Sequence, residues 1–140
     1  MKDKFIIEND FIKFFLTDSL LTLYIKEKGV PNKDEWEFTK NNMLKFYDYL
    51  IEGNKKITII FNLTNLGLIP LTYIKEWATL FTSNKEKTSL VVSKSIIIIQ
   101  NSIIYTITKS FLSMYDNVSP YYIINSEKDL IKSKIGESNE

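Results

Sequence analysis

The chain of 140 residues contains no histidine, no cysteine and no arginine, and all 18 of its basic residues are lysine. Without histidine and cysteine there is no Ser-His-Asp triad, no Cys-His pair and no zinc cluster of the usual type. Without arginine there is no bidentate clamp for a phosphate or a carboxylate. Only 4 glycines are present, and they form neither a Walker A loop nor a dinucleotide-binding fingerprint. We therefore expect a protein that is not an enzyme and uses no metal or cofactor.

Strong charge and long apolar runs are also missing. The net charge is +1, so no strong field favours nucleic acid or an anionic membrane. The longest apolar run is Ile96–Ile99, whereas a membrane-spanning helix needs about 20 apolar residues. The absence of cysteine removes any disulfide framework and favours the cytosol. These features predict a cytoplasmic protein with no nucleic-acid partner and no transmembrane segment.

Length and composition predict one domain over residues 1–140, with a core from 11 to 135 and a frayed tail from 136 to 140. Apolar residues make up 44% of the chain, which is enough to build a sizeable core. The many lysine, asparagine and isoleucine residues, without any arginine, indicate an AT-rich coding sequence.

The N-terminal part of the chain predicts β-structure. Apolar residues alternate with other residues over 12–16 and again over 21–25, a pattern typical of two half-buried antiparallel strands. Residues 4–8 predict one more short strand before the turn at Asn9 and Asp10. We therefore expect an antiparallel hairpin at the start of the fold.

A helix follows the break at Gly29 to Pro31. Asn32 and Glu35 have the spacing of a capping box, and the apolar residues after them repeat with a helical period. The pattern predicts an amphipathic helix over 33–52. Gly53 stands where the glycine that ends a helix is usually found.

The rest of the chain alternates strands with helices. The predicted strands are 57–61, 95–100 and 121–124. A first predicted helix contains Ile74 to Phe81, and a second runs from Asn101 or Ser102 to Tyr115. A short closing helix is predicted from Ser126 through Ile131. Residues 83–94 show no clear pattern. The strand 57–61 is apolar on both faces, which indicates the centre of a sheet that is covered on both sides.

Strands that are separated by helices pair in parallel, because the helix carries the chain back to the end of the sheet at which the previous strand began. The predicted fold class is therefore α/β. It has a mixed sheet in which an N-terminal antiparallel β-hairpin is followed by a parallel βαβαβα portion.

The stretch from Ile57 to Trp77 resembles the STAS domains (sulfate transporter and anti-sigma factor antagonist). In those domains a strand ends in Asp-Leu-Ser and a helix then begins with Asp-Ser-Ser-Gly; here the strand ends in Ile-Ile-Phe-Asn-Leu-Thr and the helix opens with Ile-Pro-Leu-Thr. On that pattern Asn62 replaces the acidic residue, Pro70 the aspartate and Tyr73 the glycine. Thr72 falls on the phosphoacceptor position of the family. The resemblance implies a binding module that regulates another protein.

The later part, from Ile96 to Ile124, resembles the related lobe of CRAL-TRIO lipid-binding domains. There a strand ends in Val-Asn, a long apolar helix follows, and another strand comes next; here the corresponding strand ends in Ile-Gln-Asn and the next strand is Tyr-Tyr-Ile-Ile. The chain lacks room for the helical extension and longer lobe of that family. This resemblance implies a lipid or another apolar molecule as the ligand.

Two sets of polar residues are candidates for a site. Thr72 at a helix start is a candidate phosphoacceptor, since free N–H groups there stabilise an anion, but threonine is also an ordinary first-turn residue. Asn62, Thr64 and Asn65 follow a predicted strand at the edge where open α/β sheets bind ligands. Local turn hydrogen bonds explain these three residues equally simply, and we expect turn chemistry.

An apolar set could line a ligand pocket between the helices and the sheet. Its members lie on the inner faces of the second and third predicted helices: Trp77, Phe81, Ile104, Ile107, Phe111 and Tyr115. An ordinary packed core is the simpler expectation, because a domain of this size has few apolar residues to spare. Helix 102–115 nevertheless carries apolar residues on more than one face, which indicates burial or an interaction surface.

Two binding functions remain open at this point, and a third, less favoured hypothesis is an enzyme whose acid–base chemistry would rest on Asp, Glu, Lys or Tyr alone. The first is interaction with another protein or with a second copy of the chain, through the helix at Thr72 and the apolar face of helix 102–115. The alternative is binding of a lipid or another apolar molecule in a pocket under that same helix.

Overall fold

The computed structural model describes residues 5–113 and 119–125, and the predicted closing helix and tail lie outside them. Six strands and four helices are present in the described part: β1 Phe5–Glu8, β2 Ile12–Leu16, β3 Leu20–Ile25, α1 Lys33–Glu52, β4 Ile57–Asn62, α2 Leu71–Ser83, α3 Lys85–Val91, β5 Val92–Ile98, α4 Ser102–Ser113 and β6 Tyr121–Ile124. The short α3 occupies the stretch for which the sequence showed no clear pattern.

The six strands form one sheet in the order in which they occur along the chain, β1-β2-β3-β4-β5-β6. The pairs β1–β2 and β2–β3 are antiparallel, and the pairs β3–β4, β4–β5 and β5–β6 are parallel. The predicted α/β class and mixed sheet are therefore confirmed. The last strand of the hairpin, β3, is also the first strand of the parallel portion.

The helices pack on one face of this sheet. Along that face Phe14, Leu23, Phe61 and Ile97 stand side by side in register on neighbouring strands. Apolar residues of α1, α2 and α3 pack against the first part of this row, and Ile104 of α4 packs against its later part. One helical layer thus covers β2 to β6.

The central strand β4 is apolar on its second face too, as the sequence predicts. There Ile60, Ile96 and Ile98 are 4%, 1% and 1% exposed and form a cluster with Leu20 and Ile124. All members of this cluster lie on strands. Both faces of the central strands are therefore buried.

The predicted capping box at the start of α1 is present. Asn32 Oδ1 accepts a hydrogen bond from the Glu35 amide at 2.8 Å, and Glu35 Oε1 accepts one from the Asn32 amide at 2.9 Å. The Lys28 ammonium lies 2.6 Å from the same carboxylate oxygen. The hydrogen bond from Lys28, together with that from the Asn32 amide, holds the pKa of Glu35 below its ordinary value.

The end of α1 differs in detail from the prediction. The helix ends at Glu52, as expected, but Gly53 has right-handed helical angles with φ −80°. The left-handed residue is Asn54, with φ 55°. Asparagine takes this conformation more readily than most residues, so the turn does not require a glycine.

Gly29 joins two loops at the carboxyl edge of the sheet. Its φ is +76°, and a Cβ placed there would lie 2.7 Å from the carbonyl oxygen of Asn65. Its own carbonyl accepts a hydrogen bond from the Gly67 amide at 3.0 Å. The loop before α1 and the loop after β4 can therefore meet only if residue 29 has no side chain.

Gly29→Ala should lower the free energy of unfolding by about 1–3 kcal/mol, because the substitution forces an L-residue into a left-handed conformation against a backbone oxygen. Gly53→Ala is the matched control: its φ is negative and the nearest atom to an added Cβ is 3.6 Å away. Urea denaturation of both variants checks this expectation. Equal midpoints for the two variants would contradict the role assigned to Gly29.

Candidate functional site

A cavity of about 170 Å³ lies between the helix-covered face of the sheet and the helices above it. The sheet contributes Phe61 and Ile97, and α2 and α4 contribute Trp77 and Ile107. The loop after β4 adds a third side through Leu66. Because these residues come from two consecutive βα units, the cavity depends on the packing of separate elements.

Five residues of the predicted apolar set line this cavity: Trp77, Phe81, Ile104, Ile107 and Phe111. Tyr115, the sixth, lies outside the described residues. The structure differs from the expected solid core, and the reason lies in small side chains. Ser95 stands in register between Ile59 and Tyr121, and Gly67 and Thr108 also belong to the lining. Larger side chains at Ser95 and Thr108 would take up part of this space.

Aromatic rings hold the wall that α2 supplies. The ring of Trp36 stacks on Tyr73 with centroids 5.1 Å apart and an interplanar angle of 8°. Trp77 lies 5.5 Å from Trp36 and makes an edge contact with Phe81 at 5.1 Å. Such pairs stabilise by about 0.5–1.5 kcal/mol beyond the burial of their area. They hold α2 against α1, so the wall of the cavity that α2 forms is fixed in position.

A polar contact supports the same wall. Glu76 Oε1 accepts hydrogen bonds from Trp36 Nε1 at 3.0 Å and from Lys40 Nζ at 2.7 Å. The hydrogen bond from Lys40, with that from Trp36, holds the pKa of Glu76 below its ordinary value. The same ion pair raises the pKa of Lys40. This clamp joins the middle of α1 to α2 next to Trp36, whose ring faces the cavity.

The predicted polar residues lie at the carboxyl edge of the sheet and serve the loop there. Asn62 is buried, and its Oδ1 accepts a hydrogen bond from the Thr64 amide at 3.1 Å. Asn65 Nδ2 donates to the Ile25 carbonyl at 3.0 Å and to the Tyr24 hydroxyl at 3.1 Å. These bonds agree with turn chemistry, and the cavity lining passes through the neighbouring Leu63, Leu66 and Gly67 instead.

Thr72 stands apart from the cavity. It is the second residue of α2, it is exposed, and the helix begins after Pro70, which offers no side-chain cap. The structure therefore does not bring Thr72 together with the apolar set. Phosphorylation of Thr72 stays a prediction from the resemblance.

Sequence reasoning missed several polar residues of the lining. Lys85 and Thr88 reach the cavity from α3, where no element was predicted. Lys85 is half-buried where it lines the cavity. Tyr121 also lines it, while Tyr122 is exposed, as expected for neighbours on a strand. Nothing in the local sequence distinguishes Lys85 from Lys87, which pairs with Asp48 at the surface.

Neither a metal centre nor a membrane span is found among residues 5–113 and 119–125. No three acidic, histidine or cysteine side chains in this part are placed to hold a metal ion. None of its four helices combines the length and the apolar character that a bilayer crossing requires. Comparisons with protein-family models, with curated proteins and with solved structures gave no match to this chain.

Glu76→Gln should lower the thermal midpoint at neutral pH, because it weakens the hydrogen bonds from Trp36 and Lys40. A carboxyl group whose folded-state pKa is depressed stabilises the fold above its unfolded pKa of about 4.3, and that stabilisation is lost as the pH falls through the folded value. The difference from the wild type should therefore shrink as the pH falls below about 4.

Thermal unfolding followed by circular dichroism from pH 7 to pH 2.5 is the measurement for this variant. Glu27→Gln, at an exposed loop position, is the control. A difference between wild type and Glu76→Gln that stays constant across this range would count against the clamp.

Proposed function

We propose that the protein is a non-catalytic binding module that takes a small apolar molecule into its cavity. The observation that carries the proposal is an apolar space of about 170 Å³ between the sheet and the helices. An engineered protein cavity of about 150 Å³ lined by Leu, Ile and Phe is known to stay dry and to bind benzene. A site of comparable size and chemistry can take a ligand in the same way.

The side chains that line the cavity determine the binding free energy of such a ligand. The lining offers van der Waals contacts that do not require one orientation of the ligand. They come from the aromatic residues Trp77, Phe81 and Phe111 and from the aliphatic residues Ile104 and Ile107. Burial contributes about 0.8 kcal/mol for each methylene group, and the loss of free motion on association offsets part of this. A ligand with about six carbons is therefore expected to bind in the millimolar to micromolar range.

The CRAL-TRIO-like and STAS-like interpretation belongs to this proposal. It is supported by the run of βαβ units and by the cavity next to α4, the helix under which the alternative function places a ligand pocket. A cytoplasmic binding protein for a lipid-derived or other apolar molecule is the function that agrees best with these features.

Ile107→Phe should weaken binding of 1-hexanol at least tenfold, or about 1.4 kcal/mol, because the larger ring enters the cavity. Two-dimensional amide NMR during a titration with 1-hexanol measures this affinity. Ile103→Phe is the matched control, since it places the same ring on the exposed side of the same helix. Equal affinities of the two variants for 1-hexanol would show that the ligand binds outside the cavity. The absence of saturable amide shifts in the wild type would contradict the proposal.

Interaction with another protein or with a second copy is the second candidate, and a group of exposed apolar side chains favours it. Leu68, Leu71 and Ile103 are 66%, 61% and 56% exposed. They belong to the loop after β4, to the start of α2 and to the first turn of α4. The carboxyl ends of parallel strands meet at one edge of a sheet, so these residues share that edge.

Leu71→Glu combined with Ile103→Glu should abolish self-association, because charges replace apolar contacts at that edge. Sedimentation velocity over a range of concentrations measures the oligomeric state. The control pair is Thr79→Glu with Lys109→Glu, at exposed positions further along the same two helices. A dimer that persists in the charged variant would place the contact elsewhere, and a monomeric wild type would leave another protein as the only partner of this kind.

A further inference from the structure

Several hydrogen-bonding side chains of the cavity lining are already paired within the protein. Thr39 Oγ1 donates to a carbonyl of its own helix at 2.9 Å. Thr88 Oγ1 lies 3.0 Å from the Tyr47 hydroxyl and 3.0 Å from the Asn84 carbonyl. Lys85, the charged residue of the described lining, also has an interaction partner. The described lining therefore presents no uncompensated charge to a bound molecule.

The hydroxyl groups of Ser95 and Thr108 differ from these. Both residues line the cavity and are half-buried, and neither hydroxyl makes a hydrogen bond within the part of the chain that the structure describes. Hydroxyl groups at exposed positions of the same strand and helix are paired. Ser93 donates to the Ile57 carbonyl at 2.9 Å, and Thr106 donates to the carbonyl one turn before it at 3.1 Å. Ser95 and Thr108 thus retain their hydrogen-bonding capacity for a ligand.

The two unpaired hydroxyls lie on elements that face each other. Helix α4 connects the parallel strands β5 and β6, so it runs opposite to β5 along the sheet. Ile104 of α4 and Ile97 of β5 belong to one buried cluster. From this contact, Thr108 lies about 6 Å further along the helix, and Ser95 lies about 7 Å back along the strand. Both displacements point toward the amino edge, so Thr108 lies over the part of the sheet that holds Ser95.

Unpaired hydroxyls in an apolar cavity discriminate between ligands. Each serine or threonine hydroxyl has one donor and two acceptor sites. A wholly apolar ligand at this position would displace water from these sites without replacing its hydrogen bonds. A hydroxyl or carbonyl group on the ligand would replace them. The cavity therefore favours a molecule that combines an apolar body with one such group.

We infer that the ligand is a small uncharged molecule with one hydroxyl or carbonyl head group on an apolar body of about the size of benzene. The head group lies between Ser95 and Thr108, and the apolar body contacts Trp77 and Ile107. The size follows from the volume of about 170 Å³, by comparison with the benzene-binding cavity of about 150 Å³. This inference rests on the proposed function and adds the charge, the head group and the orientation of the ligand.

The experiment compares phenol with toluene, which have nearly the same shape and differ by a hydroxyl in place of a methyl group. Phenol is uncharged at pH 7, because a phenolic group ionises at about pH 10. Both are titrated into the whole chain at pH 7 and followed by two-dimensional amide NMR. Both ligands should shift the amides of Trp77 and Ile107, and phenol should cause the larger shifts at Ser95 and Thr108.

Thr108→Val keeps the shape of the side chain and removes its hydroxyl. It should weaken phenol binding about fivefold, because one hydrogen bond is lost, and should not weaken toluene binding. Ser95→Ala should have the same effect. The matched controls are Thr106→Val and Ser93→Ala, which remove a hydroxyl from exposed positions of the same helix and strand. Both controls should keep the wild-type ratio of the phenol and toluene affinities.

An unchanged ratio of the two affinities in either Thr108→Val or Ser95→Ala would overturn the inference and leave apolar binding intact. A control variant that changes the ratio as much as its partner would also overturn it, because the hydroxyl at the cavity would then have no particular role. Saturable binding of neither phenol nor toluene would overturn the proposed function as well.

Discussion

The structure depends on the consecutive order of its parallel strands. From β3 onward each strand pairs with the next one along the chain, and each connection crosses over in the same direction. Right-handed crossovers of this kind place every connecting helix on one side of the sheet. Helices α2 and α4 therefore lie over the same region, above β4, β5 and β6. The cavity is the space that these two neighbours leave between them and the sheet.

The size of that space is decided by a few side chains. Ser95 stands at an inward position of β5, in a row where the next strands carry Ile59 and Tyr121. Large rings on the other side keep the walls apart, since Trp77 is held by its contacts with Trp36 and Phe81. Cores are normally packed as densely as organic crystals, so a space of about 170 Å³ is an exception. Such an exception is the usual form of a small-molecule site.

Ion pairs support the helices around this largely apolar site. The ion pairs of the fold with the clearest structural effect, Lys28 with Glu35 and Lys40 with Glu76, hold α1 in place from outside the cavity. Lys85 differs from them because it lines the cavity itself.

The sequence by itself determined most of the local structure. Alternation predicted β2 and β3, the capping box of Asn32 and Glu35 predicted the start of α1, and helical spacing placed Trp77 and Phe81 on one inner face, because these patterns act over a few residues. The parallel portion also followed from the alternation of strands and helices. Sequence patterns did not predict α3, which lacks a side-chain cap and packs against α1.

Only the tertiary structure decided the site. The cavity is lined by residues such as Leu66, Trp77 and Ile107, which come from separate elements of the chain. Lys85 lines the cavity, whereas Lys87 pairs with Asp48 at the surface. This difference depends on how α3 packs against α1, because the local sequence around the two lysines is alike. Local patterns report which residues are apolar and periodic. Unfilled volume and the surroundings of a charge are properties of the packed assembly, and for that reason they appear only when the elements meet.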